Sequence, residues 1–119
     1  MSKFKVIIAG SRDFYDYDFL KEKCKFYLQN KLPNVIIVSG GATGTDSLGE
    51  KFAEEMNLEI IIKKPDWNKY GKSAGPKRNK EMSEISDGLI AFWDGKSRGT
   101  KNMIETATQN GLIVKVVMI

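Results

Sequence analysis

The chain has no histidine and a single cysteine in 119 residues. These scarcities remove much of the chemistry open to a small protein. Without histidine there is no Ser-His-Asp or Cys-His relay and no His-ligated zinc. A general acid or base must be a carboxylate, lysine, tyrosine or Cys24. No Cys/Asp cluster has metal-ligand spacing, so neither a metal nor a cofactor is expected. One cysteine excludes an internal disulfide and fits a reducing compartment. Cys24 falls on an apolar stripe with Leu20, Tyr27 and Leu28, which reads as a core thiol. No apolar run approaches the ~20 residues of a membrane span, and Met1 to Lys5 carry no signal-peptide pattern. A cytoplasmic location without membrane contact is expected.

The length suits one domain, residues 1–119. The formal charge is only +4, but it is unevenly spread. About half the basic residues lie in residues 63–101, where acidic residues are about half as frequent, a field that suits an anionic partner.

Apolar runs alternate with helical periodicity. Lys5-Val6-Ile7-Ile8-Ala9, Val35-Ile36-Ile37-Val38, Glu59-Ile60-Ile61-Ile62, Gly88 to Phe92 and Leu112 to Val117 read as strands. Between them Phe19, Leu20, Cys24 and Leu28, then Leu48, Phe52 and Met56, recur at helical spacing. After a polar stretch at residues 63–75, Pro76 sits where a helix could start. Thr100 is a plausible N-cap for the last helix, which runs through Met103, Ile104 and Ala107 to Gly111. The pattern predicts an α/β fold: one Rossmann-like, doubly wound domain of about five parallel strands flanked by helices. Ligands bind such sheets beyond the carboxyl ends of the strands.

The loops at that edge share a character. Gly10-Ser11-Arg12-Asp13, Gly40-Gly41-Ala42-Thr43-Gly44-Thr45-Asp46 and Trp93-Asp94-Gly95-Lys96-Ser97-Arg98-Gly99-Thr100 each join glycine to hydroxyl residues ahead of a helix. Such loops suit phosphate, because backbone N–H groups can approach it and the helix dipole favours it. Each could equally be a plain connector, but three facing one edge, with Arg12, Arg78 and Arg98, favour an anion site. Neither Gly71-Lys72-Ser73 nor Gly95-Lys96-Ser97 completes a P-loop, since the glycine required earlier is Asp66 or Ile90. Trp67 and Tyr70 offer rings on which a base could stack, or Trp67 could instead lid the core. Arg78, followed by Asn79, shares a helix face with Met82, placing Arg78 at the loop edge.

These motifs resemble the SLOG superfamily. "IIAGSRDF" and "IIVSGGATGTDSLGEKFA" are similar to the Rossmann domain of DprA (Smf) proteins. "RNKEMSEISDGLIAFWDGKSRGTKNM" is similar to the LOG phosphoribohydrolases. Both halves in one short chain, with "WDGKSRGT", resemble the YspA/YpsA-related branch. The resemblance implies a pocket for a nucleotide or nucleotide-derived ligand and, because related proteins are commonly dimers, a homo-oligomer. It also exposes a departure. LOG enzymes carry a catalytic glutamate three residues after Gly-Thr, where this chain has Met103, preceded by Asn102. Glu105 lies about 200° further around the helix. Arg78 matches the arginine of the LOG pair, leaving Asp46 and Asp94 as nearby acids.

Three functions follow as expectations. The first is a module that senses or sequesters a small nucleotide, ADP-ribose-like or cyclic. The second is a nucleoside-monophosphate N-glycosidase with Asp46 or Asp94 as its acid, Asp46 and Arg78 being the catalytic candidates. The third, disfavoured by the modest charge, is single-stranded DNA binding of the DprA type.

Overall fold

A strand with no polar face has to be covered on both sides, and this requirement organises the molecule. The computed structural model describes residues 2–119. The strands are β1 (Phe4–Gly10), β2 (Val35–Ser39), β3 (Glu59–Ile62), β4 (Gly88–Trp93) and β5 (Ile113–Met118). The helices are α1 (Tyr17–Leu28), α2 (Thr45–Glu55), the single turn α3 (Trp67–Tyr70), α4 (Ala74–Ile85) and α5 (Arg98–Gln109). The strands form one parallel sheet in the order β3-β2-β1-β4-β5. This is the expected Rossmann-like α/β fold.

Alternate residues of β1 feed two cores. Val6 and Ile8 pack with Leu20, Cys24 and Leu28 of α1 and Phe52 and Ala53 of α2. Ile7 and Ala9 pack on the other face with Met82 of α4 and Met103 and Ala107 of α5. Fully burying a side chain such as Phe52 stabilises by about 1.5–3 kcal/mol. Cys24 is the inert core thiol the stripe implied, its pKa pushed up to about 12 by burial.

From β1 the chain steps outward through β2 to β3, then crosses back to β4 on the other side of β1. Strand order therefore reverses between β1 and β4, which opens a crevice above their carboxyl ends.

The structure corrects three local readings. Residues 63–75 are not simply a loop: Asp66 caps α3 by accepting from the Lys69 amide, and a 3-10 turn, Gly71–Ser73, leads into α4. Helix α4 starts at Ala74, before Pro76, which remains tolerable because first-turn amides have no intrahelical acceptor. The cap of α5 is Ser97, not Thr100: Ser97 Oγ accepts from the Thr100 amide at 3.3 Å, and Thr100 sits buried within the first turn.

Candidate functional site

The first two glycine loops hold each other. The Gly10 backbone runs so close to β4 that a Cβ there would lie 2.2 Å from the Phe92 carbonyl oxygen. Past it, the Ser11 carbonyl accepts from both the Thr45 amide at 3.1 Å and Thr45 Oγ1 at 2.9 Å. Thr43 Oγ1 donates to the Arg12 carbonyl. Thr45 is thus spent on fastening β1 to α2, and Gly44 is buried in the same junction.

Above this junction, at the strand-order reversal, lies a cavity of about 470 Å³. Gly10, Ser11 and Arg12 form one wall, Asp46 part of the floor, and Trp67, Arg78 and Asn79 the wall from α3 and α4. Asp94, Ser97, Arg98, Gly99 and Thr100 close it from β4 and α5. Gly40, Gly41 and Thr43 line an adjoining cavity instead. Gly44, Thr45, Gly95 and Lys96 line neither.

Arg78 is the most constrained cation. Nη1 donates to the Gly40 carbonyl at 2.8 Å and Nε to Asn79 Oδ1 at 3.0 Å. Asn79 in turn donates to Asn102 Oδ1 at 2.9 Å, tying α4 to α5. Nη2 carries no hydrogen bond among the described residues, so the fork retains donors. A Cβ on Gly40 would lie 2.4 Å from Nη1, so the bare backbone makes room for the guanidinium. Burial lowers the basicity of Arg78, while the neighbouring Asp46 charge opposes that shift.

Asp46 is 5% exposed, and burial pushes its pKa from 3.8 up to about 6. The Ala42 amide, which donates to Oδ2 at 3.1 Å, pulls it back, as do Arg78 and Arg12, while Glu50 adds to the rise. Asp94 behaves oppositely. Its Oδ1 accepts from the Ser97 and Lys96 amides, each at 2.8 Å, and these bonds hold its pKa below the ordinary value. Asp94 therefore shapes the turn, whereas Asp46 is the cavity carboxylate displaced toward neutrality.

Two sets of donors remain. The Arg98 and Gly99 amides at the start of α5 have no partner among the described residues. Ser11 Oγ, on a residue 2% exposed, is buried without a partner on the cavity wall. Met103, at the LOG glutamate position, is 2% exposed and lines the cavity with Met82, while Glu105 is exposed and off it. Gly75, Pro76 and Asn102 also line the cavity and were not anticipated as ligand contacts. Their only sequence signal is helical spacing from Asn79 and Gly99. Among the described residues no three potential ligands gather as a metal site, and no helix is long and apolar enough to cross a membrane.

The profile of the YAcAr family (YspA, cpYpsA-related SLOG) matches residues 4–70. The Gene 61 protein of Mycobacterium phage D29 is 31% identical over 116 residues, covering 92% of this chain and 93% of that protein. DNA processing protein A (DprA) from Streptococcus pneumoniae superposes with a TM-score of 0.74 at 22% identity, over 97% of this chain and 50% of that one. DprA from Helicobacter pylori gives 0.66 at 21% identity, over 97% of this chain and 65% of its own. This chain thus spans half to about two-thirds of those solved chains, and at such identities they speak to the fold alone. By its family profile, which matches more than half of its length, the chain belongs to the YspA, cpYpsA-related SLOG family.

Proposed function

We propose that this protein is a binding module for a phosphate-bearing nucleotide or nucleotide-derived ligand, seated above the carboxyl ends of β1 and β4. The observation that carries the reading is the gathering of donor-bearing residues around one cavity: Arg78, whose Nη2 makes no hydrogen bond among the described residues, and Arg98 and Gly99, whose amides open α5 without a partner among them, with Ser11 in the same wall. The start of α5 suits the phosphate. Trp67, 50% exposed and part of the cavity wall, offers its face to a base. AMP titrated calorimetrically is the first probe. Arg78→Ala is expected to weaken binding by about 1.5–3 kcal/mol, the range for a hydrogen bond to a charged group. Unchanged affinity would remove Arg78 from the site.

Binding without turnover is the corollary. Cleaving an N-glycosidic bond builds positive charge on the ribose and requires activated water, and losing one positioned acid–base group removes a factor of about 10²–10⁴. The Met103 thioether can supply neither service. Incubation with AMP, followed by chromatography for free adenine, is expected to show no robust release. Robust release that Asp46→Asn abolished would instead make the protein an N-glycosidase, with Asp46 as its acid.

The DNA reading draws on the fold shared with the Helicobacter protein, whose structure is described for its single-stranded DNA binding mode. The aromatic surface argues against it here. The Tyr70 ring has Lys77 Nζ 4.4 Å and Lys69 Nζ 5.2 Å from its centroid, which leaves Trp67 as the open ring of the pair. Strand-binding grooves stack successive bases on several rings.

A further inference from the structure

A mononucleotide in the first cavity leaves the adjoining one unused. That second space, about 350 Å³, opens beyond the carboxyl end of β2. It shares Arg12, Ala42, Trp67 and Arg78 with the first, so the two are lobes of one trough with Arg12 and Arg78 at its waist. Their charges differ. The first lobe sets Arg12, Arg78 and Arg98 against Asp13, Asp46 and Asp94. The second has Arg12, Lys64 and Arg78 and no acidic residue in its lining.

The floor of the second lobe is built to keep those cations close. Gly41 has φ 73°, and a Cβ there would lie 3.1 Å from Lys64 Cγ and 3.2 Å from Lys64 Cε. The lysine stem therefore lies along bare backbone, and Lys64 lines this lobe. A lobe lined by three cations and no acidic side chain favours concentrated negative charge, even with the Asp46 carboxylate close to Gly40, whereas the mixed first lobe can also meet hydroxyl groups. The waist lies between them, as a phosphate chain would.

Resting on the nucleotide reading above, we propose that the ligand is a nucleoside diphosphate or an ester of one. Its nucleoside and first phosphate occupy the first lobe, and its second phosphate crosses the Arg12–Arg78 waist toward Lys64. Lys64 is then a specificity residue, reading the second phosphate and nothing in AMP.

Calorimetric titration of the native protein and of Lys64→Ala with AMP, ADP and the dinucleotide pdApdA tests this. Lys64 is exposed, so its loss should leave the fold intact. The native protein is expected to bind ADP at least tenfold tighter than AMP. Lys64→Ala should erase most of that gain and leave AMP affinity unchanged, and added salt should shrink the gain. Equal affinities for AMP and ADP, or a gain that survives Lys64→Ala, would overturn the diphosphate assignment while the mononucleotide site stood. A Lys64-dependent gain for pdApdA matching that for ADP would overturn it in favour of a nucleic acid strand. Failure of both AMP and ADP to bind would remove the nucleotide reading and this inference together.

Discussion

Gly44→Ala is expected to destabilise the protein by about 2–6 kcal/mol, through two effects that add. Gly44 has φ 70° and ψ −125°, a conformation essentially confined to glycine, where another residue costs on the order of 1–3 kcal/mol. The new Cβ would also lie 2.3 Å from the Arg12 carbonyl oxygen and 2.6 Å from that of Ser11. Overpacking typically costs a further ~1–3 kcal/mol. The clash has no easy relief, because those carbonyls accept from Thr43 and Thr45 and moving them would break the junction between β1 and α2. Gly99→Ala is the control. No atom lies within 4 Å of its added Cβ, and the site is helical, so a small gain of about 0.4–1 kcal/mol is expected. Urea unfolding of both variants provides the check. A Gly44→Ala protein within about 0.5 kcal/mol of the native one, the usual range for an innocuous surface change, would contradict the junction described above.

Asp46→Asn is expected to act in the opposite direction, and only above a threshold pH. The folded-state pKa of Asp46 is raised from 3.8 to about 6, so the folded protein holds this proton more tightly than the unfolded chain. Stability is therefore lost as pH rises through that window, and the full penalty is present above about pH 6. At ~1.36 kcal/mol per pKa unit, its upper size is about 3 kcal/mol. Asparagine keeps an oxygen to accept the Ala42 amide but carries no charge to desolvate. The variant should be more stable than the native protein by about 1–3 kcal/mol at pH 8, with the difference closing below pH 4. Thermal unfolding across this range measures it. An Asn variant less stable at pH 8 would mean that the attraction between Asp46 and Arg78 outweighs the desolvation of the carboxylate.

Much of the fold could be read from residue type because its elements announce themselves locally. A strand buried on both faces needs an unbroken apolar run. The run Glu59 to Ile62 coincides with β3 at both ends, and the runs at β1, β2 and β4 coincide with their strands to within one residue at each end. The Cys24 stripe and the shared face of Arg78 and Met82 followed from helical spacing, and Arg78 is held at the loop edge as that spacing implied. Helix α3 had no such signal. One turn is too short for periodicity, and its cap, Asp66, differs from an ordinary loop aspartate only in the bond it makes.

The candidate site was legible as a set of loops but not as a set of roles. By itself the sequence determined the α/β order, the edge at which a ligand could sit and the absence of histidine chemistry. These follow from composition and from periodicities of two and 3.6 residues, which act over a few neighbours. Only the tertiary structure decided which donors are spent. Thr45 looks as available as Ser11 until its amide and hydroxyl meet the Ser11 carbonyl from a loop 34 residues away. Asp46 and Asp94 are the same residue type in glycine-containing loops, yet one is buried near Arg78 of α4 and the other is exposed and bonded to its own turn. The second lobe likewise exists because Lys64 lies against Gly41 while Arg78 reaches Gly40. Hydrogen-bond availability and desolvation depend on what the fold brings within a few ångströms, and no local pattern of residues encodes that distance.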